Sequence, residues 1–116
     1  MRLARTAAVA LGGGLGATAR VGLAAGLDHP WEALVANVAG CLLLAVVSQR
    51  LDGTAKALWG TGVAGALTTF STFAVDAVEL AGRPLEAVAY VAVSLTLGLA
   101  AVAVGRRLAR PAASGP

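Results

Sequence analysis

Long apolar runs, separated by short polar segments, account for almost the whole of this 116-residue chain. The runs cover approximately residues 4–26, 31–49, 57–81 and 85–105. Each is close to the roughly 20 residues that an α-helix needs to cross a bilayer. The pattern therefore predicts an all-α membrane protein, with a single four-helix transmembrane domain over residues 1–116 and no separate soluble domain.

The third apolar run contains a stretch that is unusual for a plain membrane helix. Gly62 to Phe73 contains two glycines, three threonines, a serine and both phenylalanines of the chain. Glycine and β-branched threonine weaken a helix, and hydroxyl groups at membrane depth must face protein or a water-filled path. We expect the third helix to be broken near its middle and to form a transport site there.

Two other polar residues, Arg20 and Asn37, lie inside the apolar runs. Arg20 is either an anchor that reaches the interface or a charge in a vestibule, where it pairs with a structural partner or attracts anions. Asn37 either forms an interhelical hydrogen bond or donates to a permeating anion. The sequence leaves both questions open. Gly12 and Gly16, four residues apart, favour close helix packing over the loose dinucleotide fingerprint that they also match.

Composition and charge agree with a membrane protein that is not an enzyme. Only 13% of the residues are charged, about half the fraction in a soluble domain. The chain has one cysteine, Cys41, and one histidine, His29, which argues against a disulfide framework and against a metal site made of their side chains. No nucleophile and base stand out as a catalytic pair.

The basic residues predict how the chain lies in the membrane. Four spans place the N-terminus, the loop 50–56 and the C-terminus on one side, and seven of the nine basic residues lie there: Arg2, Arg5, Arg50, Lys56, Arg106, Arg107 and Arg110. The other side has Arg83 and, arguably, Arg20. Because basic residues remain in the cytoplasm, both termini are expected there.

Three segments together resemble the Fluc (CrcB) family of fluoride channels along nearly the whole chain. Gly12 to Arg20 resembles the family's Gly-rich first helix, and Leu34 to Gly40 its Val-Asn-x-x-Gly pattern. Thr68 to Phe73 reproduces its Thr-Thr-Phe-Ser-Thr-Phe hallmark, which is highly specific. Asp76 stands where the family usually has Glu, and Cys41 where serine is common.

The resemblance implies a channel that exports fluoride passively across the cell membrane (the inner or plasma membrane) and so confers fluoride resistance. It implies an antiparallel, dual-topology dimer with two narrow pores and a structural sodium ion at the dimer centre. Backbone carbonyls of Gly65 and Thr68 would bind the sodium. The residues implied for the fluoride path are Asn37, Phe70 and Phe73, with Ser71 and Thr72 among the polar groups near it.

Two alternatives to a self-paired fluoride channel arise. A small multidrug-type proton-coupled exporter needs a carboxylate in its first helix, and residues 4–26 contain no Asp or Glu. The chain could instead be a non-conducting partner subunit of a heterodimer. Because of the strong charge bias, an oppositely oriented homologous subunit is a more natural partner than a second copy of the chain.

Overall fold

The computed structural model describes residues 2–110, which form four helices long and apolar enough to cross a membrane. Their bounds are α1, Arg2–Gly26; α2, Trp31–Arg50; α3, Gly53–Gly82; and α4, Pro84–Leu108. No strand occurs among the described residues. The predicted all-α fold with four spans is confirmed, and several helix ends extend a few residues beyond the predicted spans.

Helix α3 is divided into two halves, which confirms the predicted break. Gly53, with a φ of 60°, allows the sharp turn from α2 into the first half. Thr68 and Thr69 have extended backbones, with ψ values of 154° and 125°. The segments of α3 are α-helical Gly53–Lys56, π-helical Ala57–Ala64, α-helical Gly65–Leu67, α-helical Phe70–Glu79 and 3₁₀-helical Leu80–Gly82.

Glycines bring α1 into direct contact with the first half of α3. A Cβ atom added to Gly12 would collide with the carbonyl oxygen of Leu58, and one added to Gly16 with that of Val63. The close packing predicted at these two glycines is therefore confirmed. Backbone contact of this kind is how membrane helices gain van der Waals energy where lipid supplies no hydrophobic driving force.

Helices α2 and α4 run in the same direction and are joined near their C-terminal ends. A Cβ atom added to Gly105 would lie 2.8 Å from the Cβ of Ala45 and 2.9 Å from the carbonyl oxygen of Leu42. The Nε of Arg50 donates a hydrogen bond of 2.7 Å to the carbonyl oxygen of Ala109. This bond satisfies a carbonyl that the end of α4 would otherwise leave free.

Small residues fill the interior, and large apolar residues cover the outside. Ala33 and Ala36 are completely buried, whereas Leu3 and Leu85 are more than four-fifths exposed. This distribution is the reverse of a soluble protein and suits a surface that faces lipid. The chain is a multi-pass membrane protein.

Candidate functional site

The break in α3 exposes two helix ends to each other in the middle of the third span. The first half ends at Leu67, and the second begins at Phe70. The ends of a helix carry free carbonyl groups at the C-terminus and free N–H groups at the N-terminus, with partial charges to match. The break therefore offers a cation-attracting end and an anion-attracting end within a few residues.

Hydroxyl groups at the break satisfy part of the freed backbone. The Oγ1 of Thr69 accepts a 3.1 Å hydrogen bond from the N–H of Thr72, which caps the second half of α3. The hydroxyl of Thr68 donates to the carbonyl oxygen of Ala64 at 3.0 Å. It also lies 3.4 Å from the carbonyl oxygen of Gly65. Threonines at these positions thus stabilise a helix break that their β-branching promotes.

Asn37 on α2 holds the break from across the helix interface. Its Nδ2 donates to the carbonyl oxygen of Thr69 at 2.9 Å, and its Oδ1 accepts from the N–H of Thr69 at 2.6 Å. One amide side chain thus replaces both hydrogen-bond partners that Thr69 loses when the helix stops. Of the two roles considered for Asn37, the structure shows the interhelical hydrogen bond, and one N–H of the amide is left for another partner.

Gly40, one turn further along α2, gives the break its space. A Cβ atom added there would collide with the Cγ2 methyl group of Thr68. Asn37 and Gly40 therefore act at neighbouring points of the break, one by bonding to the backbone of Thr69 and the other by making room for the side chain of Thr68.

Three aromatic rings form a row beside the break. The ring centroids of Phe70 and Phe73 are 5.9 Å apart, and those of Phe73 and Tyr90 are 5.5 Å apart, with tilted planes in both pairs. Tilted rings direct their positive edges toward neighbouring groups and not only toward each other's faces. Phe70, at the open end of the row, is 79% exposed.

A cavity of about 760 Å³ lies between α2, α3 and α4 at the level of the break. It brings together five of the residues that the sequence analysis associates with ions: Asn37, Gly65, Thr68, Phe70 and Phe73. Thr61 and Thr69 add hydroxyl groups to its wall, and Ser94 also lines it, with its hydroxyl buried. Ser71, Thr72 and Arg20 do not line this cavity, so the structure separates them from the other five.

Arg20 lies outside the cavity, beside the first turn of the second half of α3, where it connects three helices. Its Nη2 donates to Oε1 of Glu32 at 3.3 Å and to the hydroxyl of Thr72 at 3.0 Å. The side chain of Arg20 is 19% exposed and that of Glu32 only 4%. Arg20 is therefore paired with a structural partner in this chain instead of extending freely to the interface.

A second carboxylate, Asp76, is buried on the same side of the molecule. Its Oδ1 lies 3.0 Å from Nδ1 of His29, and its Oδ2 accepts a 3.4 Å hydrogen bond from the hydroxyl of Tyr90. His29 belongs to the loop between α1 and α2 and is exposed. These contacts join that loop to the second half of α3 and to the row of aromatic rings.

The sequence analysis missed four residues of this region: His29, Glu32, Tyr90 and Ser94. A buried arginine requires a carboxylate partner. Glu32, in the first turn of α2, is the first acidic residue after Arg20 that lies in a helix, so this pairing could have been predicted from the sequence. Tyr90 and Ser94 are four residues apart and therefore share one face of α4. The hydroxyl of Ser94 is buried without a hydrogen-bond partner among the described residues.

The chain matches a family of known proteins over most of its length. The model of the family of CrcB-like proteins, described as camphor resistance (CrcB), matches residues 7–106. The match contains most of α1, all of α2 and α3 and nearly all of α4, and hence every residue of the site described above.

Curated relatives carry one common name. The "Fluoride-specific ion channel FluC 2" of Rhodococcus jostii is 47% identical over 107 residues, covering 86% of this chain and 94% of the relative. The protein of the same name from Symbiobacterium thermophilum is 46% identical over 117 residues, covering 89% and 95%. That of Halobacterium salinarum is 41% identical over 114 residues, covering 92% and 88%.

Proposed function

This chain belongs to the CrcB family of membrane proteins, whose curated relatives are named fluoride-specific ion channels, and we propose that it conducts fluoride. Transport is passive, out of the cytoplasm, and protects the cell against fluoride. An ion channel breaks no covalent bond, so the chain is not an enzyme. Membership of the family favours this function over the small multidrug-type exporter considered from the sequence.

The observation that carries the proposal is the cavity at the break in α3. A spare N–H of Asn37, the hydroxyl groups of Thr61 and Thr69 and two phenylalanine rings surround one space at membrane depth. Fluoride is a small anion that holds its water strongly, so a path through the bilayer must replace that water with donors. The N–H group, the hydroxyl groups and the positive ring edges are donors without charge, which suits rapid passage better than tight binding.

Fluoride passes along the row of rings, with Phe70 and Phe73 on its path. Asn37 donates to the ion at the break, and Ser71 and Thr72 add hydroxyl groups at the start of the second half of α3. Arg20 lies beyond Thr72 and acts as the charge of a vestibule, where its pairing with Glu32 keeps it from binding the anion tightly.

A structural sodium ion binds at the other side of the break, through the backbone carbonyls of Gly65 and Thr68. Three features support this site. Sodium is a hard cation that prefers oxygen ligands, both residues line the cavity, and the first half of α3 ends here with its negative pole. Among the described residues, acidic, histidine and cysteine side chains form no metal-binding cluster, so a cation at the break depends on the backbone. When bound, sodium supplies positive charge that holds the carbonyls of the break together.

The functional unit is an antiparallel dimer of two four-helix subunits. One chain leaves the cavity, the ring of Phe70 and the backbone at Gly65 uncovered at membrane depth. Polar groups in such a position require protein or water, and a second subunit supplies both a wall and two further carbonyls for the sodium. The second subunit is another copy of the chain or a homologous subunit in the opposite orientation. Both termini of this chain lie in the cytoplasm.

The proposal is tested by fluoride efflux from liposomes that contain the purified chain, followed with a fluoride electrode and with chloride as the control ion. Replacing a ring at the cavity with an aliphatic side chain, Phe70→Ile or Phe73→Ile, should lower the fluoride flux by about fivefold, since a ring-edge contact contributes about 1 kcal/mol. The matched control is Trp31→Ile, which removes an aromatic ring far from the cavity and should leave the flux unchanged.

Parental flux in both phenylalanine variants would contradict the proposed path. An equal flux of chloride in the parent chain would contradict selectivity for fluoride. A variant that lowers the flux must still elute as the same oligomer, so that a loss of assembly is distinguished from a loss of conduction.

A further inference from the structure

A second, smaller pocket lies between the C-terminal ends of α2 and α4 and shares no lining residue with the cavity at the break. It has a volume of about 240 Å³ and is lined by Gln49, Ala103, Arg106, Arg107 and Arg110. Three of these five residues are arginines, and none is acidic. The proposed ion pathway does not use this pocket.

The three guanidinium groups at this pocket form no hydrogen bond or ion pair with any side chain or backbone group among residues 2–110. Arg50, in contrast, is committed to the carbonyl oxygen of Ala109. Like charges that surround one pocket repel each other, and an anion placed between them removes that repulsion. A guanidinium group forms paired hydrogen bonds with two oxygens of a phosphate, which makes phosphate the best-matched anion.

The position of the pocket along the helices indicates what carries the phosphate. α2 ends at Arg50 and α4 at Leu108, so the pocket lies where two spans leave the apolar core and meet the lipid headgroups. Its inner wall is Ala103, and Ala100 and Leu97, one and two turns deeper on the same helix, are exposed and do not line the cavity at the break. An apolar, uncovered helix face thus continues directly from the arginines into the membrane.

We propose that this pocket binds the phosphate of an anionic phospholipid, whose acyl chains lie along the exposed face of α4. A free phosphate ion shares the chemistry of the headgroup and would contact the same arginines. It would gain nothing from the apolar face formed by Ala103, Ala100 and Leu97, and this difference allows the two sources to be separated.

The test is lipid binding by the purified full-length chain, measured by native mass spectrometry and by thermal unfolding in detergent. The probes are phosphatidylglycerol, the zwitterionic phosphatidylcholine and inorganic phosphate. We expect phosphatidylglycerol to bind about tenfold more tightly than phosphatidylcholine and to raise the unfolding midpoint. Inorganic phosphate at the same concentration should produce no shift.

The variant for this test is the pair Arg106→Gln and Arg107→Gln, and its matched control is the pair Arg2→Gln and Arg5→Gln. Both pairs remove two charges from the same side of the membrane, but only the first lies at the pocket. The first pair should lose about tenfold in affinity for phosphatidylglycerol, and the control less than about twofold. The pair Arg106→Lys and Arg107→Lys retains the charge, and hence the topology signal, and should lose part of the affinity because lysine cannot form the paired contact.

Equal losses in the pocket and control pairs would overturn the proposal, since binding would then follow surface charge alone. A stabilisation by inorganic phosphate that equals the effect of phosphatidylglycerol would also overturn it and assign the pocket to a soluble anion. Should the glutamine pair fail to fold, the lysine pair decides, because an unchanged affinity in that pair contradicts phosphate recognition by the arginine forks.

Discussion

Asn37 shows how one side chain makes an interrupted membrane helix possible. Its amide bonds to both the N–H and the carbonyl oxygen of Thr69, the residue whose helical partners are lost at the break. At this position the amide stabilises the backbone of the break whether or not an ion is present. The structural and functional hypotheses for Asn37 are therefore compatible, because two of its polar groups support the backbone and one N–H is left over.

Replacing Asn37 with alanine should destabilise the protein as well as lower the fluoride flux. The change leaves two backbone groups of Thr69 without partners, at a cost of about 1–3 kcal/mol for each buried group. Thermal unfolding of the purified chain measures the loss. Gln49→Ala, which removes an amide from the end of the same helix, is the control. An unfolding midpoint equal to that of the parent would contradict the role of Asn37 at the break.

The ion pair between Arg20 and Glu32 leads to a second prediction at the residue scale. Replacing Glu32 with glutamine leaves the partly buried guanidinium group of Arg20 without a charged partner, and the free energy of unfolding should fall by about 3 kcal/mol. Glu86→Gln is the same change in an exposed pair with Arg83 and should cost less than about 1 kcal/mol. Denaturation of both variants gives the comparison, and equal costs would show that burial of the Arg20 pair is without energetic effect.

Helix α3 can bend where it does because its first half is fixed against α1. The backbone of α1 touches α3 at Gly12 and Gly16, opposite the π-helical segment Ala57–Ala64. A π-helical segment has a wider turn and weaker hydrogen-bond geometry than an α-helix, and it persists where neighbours support it. The contact between α1 and α3 therefore acts as the support for the whole third span.

Gly16→Ala should separate α1 from α3, while Gly14→Ala should not. The added methyl group at Gly16 meets the carbonyl oxygen of Val63, so the helices must shift at a cost of about 1–3 kcal/mol. No atom lies within 4 Å of a Cβ added to Gly14, where alanine should stabilise the helix by about 0.5–1 kcal/mol. Thermal unfolding distinguishes the two variants, and a shift of the same sign in both would contradict the packing.

The elements themselves were predictable, but their contacts were predictable only in part. Four apolar runs of sufficient length fix four spans, and glycine beside threonine marks the break, because both signals are local to the sequence. The π-helical segment Ala57–Ala64 has no comparable local signal. The pairing of Asp76 with His29 and the row from Phe73 to Tyr90 depend on which helix faces meet, and apolar sequence that faces lipid has the same composition as apolar sequence that faces protein.

At the scale of the whole molecule, one chain has an open cavity at membrane depth. Its wall is mostly apolar, with a few polar groups at the break, and the helices around it present apolar side chains to lipid. Basic residues are concentrated at one end, where seven of nine lie by the predicted topology. The proposed partner covers the cavity in the opposite orientation, whereas the basic residues of this chain favour a single orientation.

We expect the chain, expressed alone, to insert with both termini in the cytoplasm in the great majority of molecules. Cysteine accessibility at introduced single sites near each terminus, in a Cys41→Ser background, measures the orientation. Fluoride efflux from the same cells should be weak unless an oppositely oriented homologous subunit is supplied. Equal populations of the two orientations, together with full efflux, would instead show that the chain pairs with itself.

The double hydrogen bond between Asn37 and Thr69 also fixes the direction in which the amide of Asn37 faces the proposed pore. The amide cannot rotate by half a turn, since that would set oxygen against oxygen and hydrogen against hydrogen. The remaining N–H of the amide therefore points in one fixed direction as long as the break in α3 is present. In the proposed pore, an uncharged residue locked in this way would favour negative ions over positive ones, without the strong attraction by which a formal charge would hold the ion.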